Sequence, residues 1–410
     1  MMNQIEQEKI KIIPNGSISS PKGFKAGGIH CGIRKKKKDL GIIISDVPAA
    51  SAAVYTMNIF QAAPLQVTKE SLADSPYLQA VVVNSGNANA FTAEQGLWDA
   101  YEMRDAVAKT FNLSPMNVAV SSTGVIGERL PIERITAGIA KLPESLSSDN
   151  GWDFGEAILT TDTFVKSIAI EISVEGKKVI IGGTAKGSGM IHPNMATMLA
   201  FITTDANIHP DVLQKLLRDV TDQSFNMITV DGDTSTNDMV LTMANGLAEN
   251  TPLDEYHPDW EVFYQGFTYV AKQLAKWIAK DGEGATKLVS VEVHGATSPM
   301  MAKAIAKKIV GSNLVKTAIY GADGNWGRII MAIGNSGYQV DPQLIDITIG
   351  PITVLKHGLK TFYSEEKVSE ALSQDEVKIH VDLHLGNCSA EAWGCDLTYE
   401  YVRINASYRT

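Results

Sequence analysis

Cysteine is scarce: Cys31, Cys388 and Cys395 are the three thiols in 410 residues. An odd, small set excludes a disulfide scaffold and fits a reducing compartment. No two are spaced CxxC, which argues against a zinc site. A basic excess is also missing. Lys and Arg total 36 against 46 Asp and Glu, a net charge of −10. Nothing in that balance draws the chain to nucleic acid or to an anionic membrane. No spanning segment is expected either. The uncharged stretch between Lys186 and Asp205 holds Gly187, Gly189, His192, Pro193 and Asn194, which a membrane helix would avoid. The opening MMNQIEQEKIKIIP contains no apolar signal core, so a cytoplasmic protein is expected. Apolar residues at 44% and charged residues at 20% exclude wholesale disorder, and 34 glycines suggest many tight turns.

Strand and helix signals alternate along the chain. Leu78 to Val83 is a short apolar run ending in Asn84-Ser85-Gly86-Asn87, the pattern of a buried strand. A helix is expected from about Gln95 to Phe111. Ile168, Ile170, Ile172 and Val174 alternate with smaller or polar residues, and Glu175-Gly176-Lys177 turns that strand into a second one at Val179 to Ile181. Met198 to Thr204 reads as another strand. Helical spacing follows from Pro210 and again from Val262 to Lys280, with Phe263, Phe267, Val270, Leu274 and Ile278 on one face. Asp281-Gly282-Glu283-Gly284 reads as a linker, then Val289, Val291 and Val293 begin a new strand, with a helix from about Met300 to Val310. A boundary near Ala285 divides residues 1–285 from a C-terminal α/β domain of residues 286–410. The charge run from Arg34 to Lys38 reads as a solvated hairpin loop.

The segment Lys186-Gly187-Ser188-Gly189-Met190-Ile191-His192-Pro193-Asn194-Met195-Ala196-Thr197-Met198 carries two readings. In the plain one it is a loop between two strands with a β-branched residue at a strand start. In the other, the Thr197 hydroxyl attacks the carbonyl of Ala196, shifts the amide to an ester, and water completes a cut. The new α-amine on Thr197 would titrate near 7.7–8.0 and so could act as a base at neutral pH. Spacing alone leaves both open.

An ordered set of blocks adds to this. It runs through Ser19-Ser20-Pro21-Lys22-Gly23-Phe24, Ala52-Ala53-Val54-Tyr55-Thr56, Asn84-Ser85-Gly86-Asn87-Ala88-Asn89-Ala90 and Ser122-Thr123-Gly124-Val125-Ile126-Gly127. Thr160-Thr161-Asp162-Thr163, the Met-Ala-Thr-Met junction and Val230-Asp231-Gly232-Asp233-Thr234-Ser235-Thr236-Asn237-Asp238 follow. Gly324-Asn325-Trp326-Gly327-Arg328 and Ala392-Trp393-Gly394-Cys395-Asp396-Leu397-Thr398 close it. In these blocks, over nearly the whole chain, the sequence resembles the ornithine acetyltransferase (glutamate N-acetyltransferase) family of arginine biosynthesis.

The resemblance implies an α/β fold, an α+β layered sandwich. A large domain like those of N-terminal-nucleophile enzymes spans a cleavage site between Ala196 and Thr197, and the C-terminal α/β domain returns its tail to the active site. It implies an α chain of residues 1–196, a β chain of residues 197–410 and an α2β2 heterotetramer. Thr197 corresponds to the nucleophile, and Thr123 and Gly124 to the oxyanion hole. Thr161, Lys186, Thr197, Glu283, Asn405 and Thr410 correspond to substrate-binding positions. The implied reaction is ping-pong transfer of acetyl from N2-acetylornithine to glutamate, with no metal and no bound organic cofactor. Some family members also accept acetyl-CoA, which is therefore carried as an optional co-substrate. A rival reading is a self-processing aminopeptidase or amidase of related fold.

Read without the resemblance, Thr123-Gly124 is an ordinary turn, and Lys186 and Glu283 are solvated loop charges. His192 lies five residues before Thr197, but a released α-amine removes the need for a histidine base. Asp231, Asp233 and Asp238 do not make an EF-hand, because Gly232 is misplaced and the closing glutamate is missing. Gly324 to Arg328 reads as a structural turn, and Cys388 and Cys395 as packing residues.

Overall fold

A computed structural model describes residues 10–192 and 198–407. The chain forms two compact units. The first comprises Met1–Gly187, Asn194–Ser224 and Thr234–Leu274; the second comprises Ser188–Pro193, Phe225–Asp233 and Ala275–Thr410.

In the first unit the strands are β1 (Lys11–Ile12), β2 (Phe24–Ile29), β3 (Leu40–Tyr55), β4 (Tyr77–Asn87), β5 (Val118–Val125), β6 (Lys166–Val174), β7 (Lys177–Lys186), β8 (Leu199–Thr204) and β9 (Met239–Ala244). They join in one mixed sheet of order β1-β6-β7-β8-β9-β3-β4-β5, with β2 on β3. The pairs β4–β5 and β8–β9 are parallel, and the others are antiparallel. The helices are α1 (Ala63–Asp74), α2 (Ala93–Phe111), α3 (Ile132–Ile139), α4 (Gly151–Ile158), α5 (Pro210–Gln223) and, as far as Leu274, α6 (Trp260–Lys280).

The apolar runs of β3 to β5 are continuous because both faces of the sheet are covered. Val81, Val83, Ala119, Phe201 and Leu241 join Phe154 and Ile158 of α4 in one core. Ala80, Val82, Val118 and Val120 join Met103 and Val107 of α2 and Ile135 and Ile139 of α3 in another. Helix α2 stops where Asn112 takes the left-handed conformation (φ 54°). Helix α6 lays its apolar stripe on β6 and β7 and comes close at Gly183 and Gly266: an added Cβ would lie 2.8 Å from Val270 at the first and 3.2 Å from Ile170 at the second. The layered α/β arrangement is the expected one.

Several expected elements are longer than their sequence signal. The strand expected at Leu78 to Val83 continues to Asn87, and the hairpin arms extend to Lys166 and Lys186. The basic run joins β2 to β3 as a loop, yet it is solvated only at Lys35, Lys36 and Lys37. Arg34 donates to the carbonyls of Leu159 (2.7 Å) and Thr160 (3.1 Å), and Lys38 pairs with Asp153 and Glu156. The run is thus anchored at both ends.

The second unit holds a sheet of order β13-β12-β11-β14-β10-β15. Its strands are β10 (Leu288–Ala296), β11 (Asp346–Ile349), β12 (Ile352–Lys356), β13 (Leu359–Lys360), β14 (Glu376–Asp382) and β15 (Cys388–Cys395). Its helices are α7 (Pro299–Val310), α8 (Asn313–Tyr320), α9 (Gly327–Gly334), α10 (Glu365–Leu372) and α11 (Tyr399–Ala406). Ser298 caps α7 by accepting from Met301 N, and Pro299 starts the helix at a position that needs no N–H. Val291, Val293, Ile347, Ile379 and Val381 are buried with Ile305 and Ile309 of α7. The alternate residues Glu292, His294, His380 and Asp382 lie on the opposite face. Cys395 is buried, as a packing residue should be, and Cys388 is half-buried. Among the described residues no helix is long and apolar enough to cross a membrane.

Candidate active site

Ala196, Thr197 and Thr410 lie outside the described residues. The first unit gathers several of the other expected residues around Lys186, the last residue of β7. Its Nζ donates to Thr123 Oγ1 at 3.2 Å and to Thr160 Oγ1 at 2.9 Å. Lys186 is buried, and so is Thr123. Lys186 is thus no solvated loop charge, and Thr123 lies in strand β5 and not in the ordinary turn that the residues alone suggested. Thr161 follows Thr160 and is half-buried.

Thr123 and Gly124 lie at the end of β5, where the register with β4 shifts at Gly86 and Asn87. Gly124 has φ +138°, and a Cβ there would fall 2.3 Å from the Gly86 carbonyl carbon. No side chain fits, so a parallel pair of strands comes unusually close at this point. A backbone this bare can aim its N–H at a ligand, which is what an oxyanion hole requires.

Two aspartates complete this cluster, and the candidate residues drawn from the sequence did not include them. Asp162 pairs with Lys166 at 2.7 Å with both side chains fully buried, and its carboxylate also accepts from Gly187 N (2.7 Å) and Thr160 N (3.0 Å). Burial opposes ionisation there, but Lys166, Lys186 and these donors outweigh it and hold the carboxyl well below the usual range. Asp238 precedes β9. Burial pushes its carboxyl well above the usual range, against the opposing pull of Lys186 and of N–H donors that include Met198. The two lie inside the blocks Thr160-Thr161-Asp162-Thr163 and Val230 to Asp238. A lysine (Lys166) at the start of an otherwise apolar alternating strand was the one available hint of a buried counter-ion.

In the second unit Glu283 is buried. Asn405 Nδ2 donates to Glu283 Oε2 at 2.8 Å. Gly189 packs directly on the carboxylate: a Cβ there would lie 2.3 Å from Glu283 Cδ. Ser188 fixes the approach by accepting from Glu283 N (3.1 Å) and donating its hydroxyl to Asp281 O (2.6 Å). Asn405 sits on α11, which has no fully buried residue; Tyr399 and Val402 are 83% and 64% exposed. Those side chains do not anchor the tail. It is instead held by polar contacts, with Thr398 Oγ1 donating to Gly284 O and Tyr401 OH to Asp231 Oδ2.

Asp231 bonds to backbone in this fold. Its carboxylate accepts from Met190 N (2.7 Å) and Ile191 N (2.8 Å), shaping the segment that leads to residue 193. His192 is bonded to Thr229 Oγ1 at 2.9 Å. Burial, with Lys307 and Lys308 nearby, lowers its pKa to about 4, so it is neutral at physiological pH. Trp326 and Arg328 make structural bonds, to Tyr363 OH and to Leu314 O.

The sequence profile of the ArgJ family matches residues 25–410. The chain belongs to the ArgJ family. It is 60% identical over 402 residues to the arginine biosynthesis bifunctional protein ArgJ of Geobacillus kaustophilus, covering 98% of both chains. It is 60% identical over 409 residues to the protein of the same name from Bacillus licheniformis, covering 100% of both. Among solved structures, an arginine biosynthesis bifunctional protein from Bacillus halodurans is 60% identical with a TM-score of 0.51. That match covers 100% of the solved chain and 52% of this one.

Proposed function

We propose that this protein is an acetyltransferase of arginine biosynthesis that transfers acetyl from N2-acetylornithine to glutamate. The observation that carries the reading is Lys186, buried and bonded to Thr123 and Thr160, in a chain matched end to end by ArgJ relatives. In the first half-reaction the Thr197 hydroxyl attacks the acetyl carbonyl. Its proton passes through the Thr197 α-amine to the departing ornithine nitrogen, leaving acetyl on oxygen. In the second, the amine of glutamate attacks that ester and the Thr197 hydroxyl is restored. Thr123 and Gly124 donate to the oxyanion in both. Lys186 is assigned to a substrate carboxylate together with Thr161, and Glu283 with Asn405 to the ornithine ammonium. Thr410 completes the proposed substrate contacts.

Autocleavage between Ala196 and Thr197 supplies the α-amine. Its support is a length: residues 197–410 make up 52% of the chain, the same share that matches the whole of the solved Bacillus halodurans chain. An α2β2 assembly in the cytoplasm, without metal or organic cofactor in catalysis and with acetyl-CoA as an optional donor, completes the proposal. Initial rates at varied acetylornithine and glutamate test it. Parallel double-reciprocal lines are expected; intersecting lines would replace the single-nucleophile scheme with a ternary complex. Acetate formed faster than acetylglutamate would instead identify an amidase.

A further inference from the structure

The outward face of the second sheet gathers four of the chain's eight histidines: His294, His357, His380 and His384. Two of them converge on one carboxylate. Asp346 begins β11, His357 follows β12, and His384 comes two residues after β14. His384 Nε2 is 3.0 Å from Asp346 Oδ2, and His357 Nδ1 is 3.7 Å from Asp346 Oδ1. One donor atom from each of the three residues lies within 4.8 Å of the others. Ligands around a tetrahedral zinc with bonds near 2.1 Å stand about 3.4 Å apart, so small ring rotations close this set on an ion.

The backbone adds a separate argument. His357 (φ 46°) and His384 (φ 51°) both occupy the left-handed region. His357 and Gly358 (φ 71°) form the two-residue link between β12 and β13, a place where Asn-Gly is the favoured pair. Turn geometry alone asks for an imidazole at neither position, yet both turns present one to the same carboxylate.

The surroundings suit a ligand set. Asp346 is oriented by the backbone, its Oδ1 accepting from His357 N at 2.7 Å. Asp382 pairs with Asp346 across β14 and β11. Its Oδ1 lies 3.5 Å from His384 Nδ1 and also accepts from His384 N at 2.9 Å. A carboxylate behind an imidazole fixes the tautomer that leaves Nε2 for a metal. Gly295 makes room for it, since a Cβ there would fall 2.3 Å from Asp382 Oδ1. The competing cation is Lys356, 3.5 Å from Asp346 Oδ2 on a stem that is 60% exposed and so easily displaced.

We propose that Asp346, His357 and His384 bind a borderline divalent transition ion, best matched by Zn2+, with water in the open fourth position. Two imidazoles and one carboxylate suit zinc, whereas magnesium and calcium take oxygen donors. Cysteine spacing argued against a zinc site, but this one needs no thiolate. The bound ion ties β11, the β12–β13 turn and the exit of β14 together, and any proton on the two imidazoles leaves to solvent as it binds.

The test uses the full chain, stripped with EDTA and freed of chelator, titrated with ZnCl2 by calorimetry beside His357→Asn/His384→Asn. Asparagine tolerates the left-handed backbone, so the turns are kept. The unaltered protein should bind one more equivalent of zinc than the double variant and gain thermal stability with zinc that the variant does not. MgCl2 should give neither effect. Equal stoichiometry and affinity in the two proteins would overturn the site. So would loss of the equivalent in His294→Gln/His380→Gln alone, which would assign it to the neighbouring Glu292, His294 and His380.

Discussion

Asp162 and Asp238 both feel Lys186, and their carboxyls are driven in opposite directions. Asp162 has Lys166 at 2.7 Å and two N–H donors to offset its burial; for Asp238 burial prevails, and one of its oxygens has no hydrogen-bond partner among the described residues. Environments that separate two like groups in this way are a mark of a working site. They also assign Asp162 a structural duty. Because its folded pKa is depressed, its ionised form stabilises the fold above an unfolded pKa of about 3.9, and that contribution is lost as pH falls through the folded value. Asp162→Asn removes the buried carboxylate that pairs with Lys166 at 2.7 Å and should cost about 3–5 kcal/mol near neutrality. Thermal melts of the two proteins should differ widely at pH 7 and converge in acid. Matching melts at pH 7 would mean that the pair offsets no more than its own desolvation.

Helix α11 is tied by hydrogen bonds and presents no fully buried side chain. Removing residues 405–410 should therefore leave the melting temperature nearly unchanged while acetyl transfer falls severely, because Asn405 no longer meets Glu283. A large drop in melting temperature would make the tail a structural strap. Element by element, legibility followed burial pattern. The hairpin at Glu175-Gly176-Lys177 could be read because its arms alternate, and helix α6 because its stripe of Phe263, Phe267, Val270 and Leu274 keeps helical spacing. The extension of β4 to Asn87 was not legible, since Ser85, Gly86 and Asn87 carry turn composition and are held in the sheet by a parallel partner 38 residues away. Arg34 failed as a solvated charge for a similar reason: the carbonyls that accept from it are some 125 residues distant. Asp162 and Asp238 stayed hidden because an aspartate among threonines looks the same whether it caps a turn or lies buried beside a lysine.

On the scale of the whole chain, the second unit takes Ser188–Pro193 and Phe225–Asp233 from among residues of the first. No shift in composition marks either segment. The first sheet is interleaved in another sense. Strands β8 and β9, both after residue 197, lie between β7 and β3, both before it, with six register pairs to each. Cleavage should therefore give two bands on a denaturing gel that elute together under native conditions, and Thr197→Ala should give one uncut band without activity. A cut alanine variant would remove Thr197 from the cleavage chemistry. The interleaving also gives the cut a direction in time. The uncut chain reaches this sheet as one molecule, at a rate independent of its concentration. Once divided and denatured, the halves must find each other, so recovery becomes second order and slows with every dilution. A cut between residues 196 and 197 would thus leave the folded sheet joined by its register pairs while slowing its reassembly, and the history of the molecule would be recorded in how it refolds.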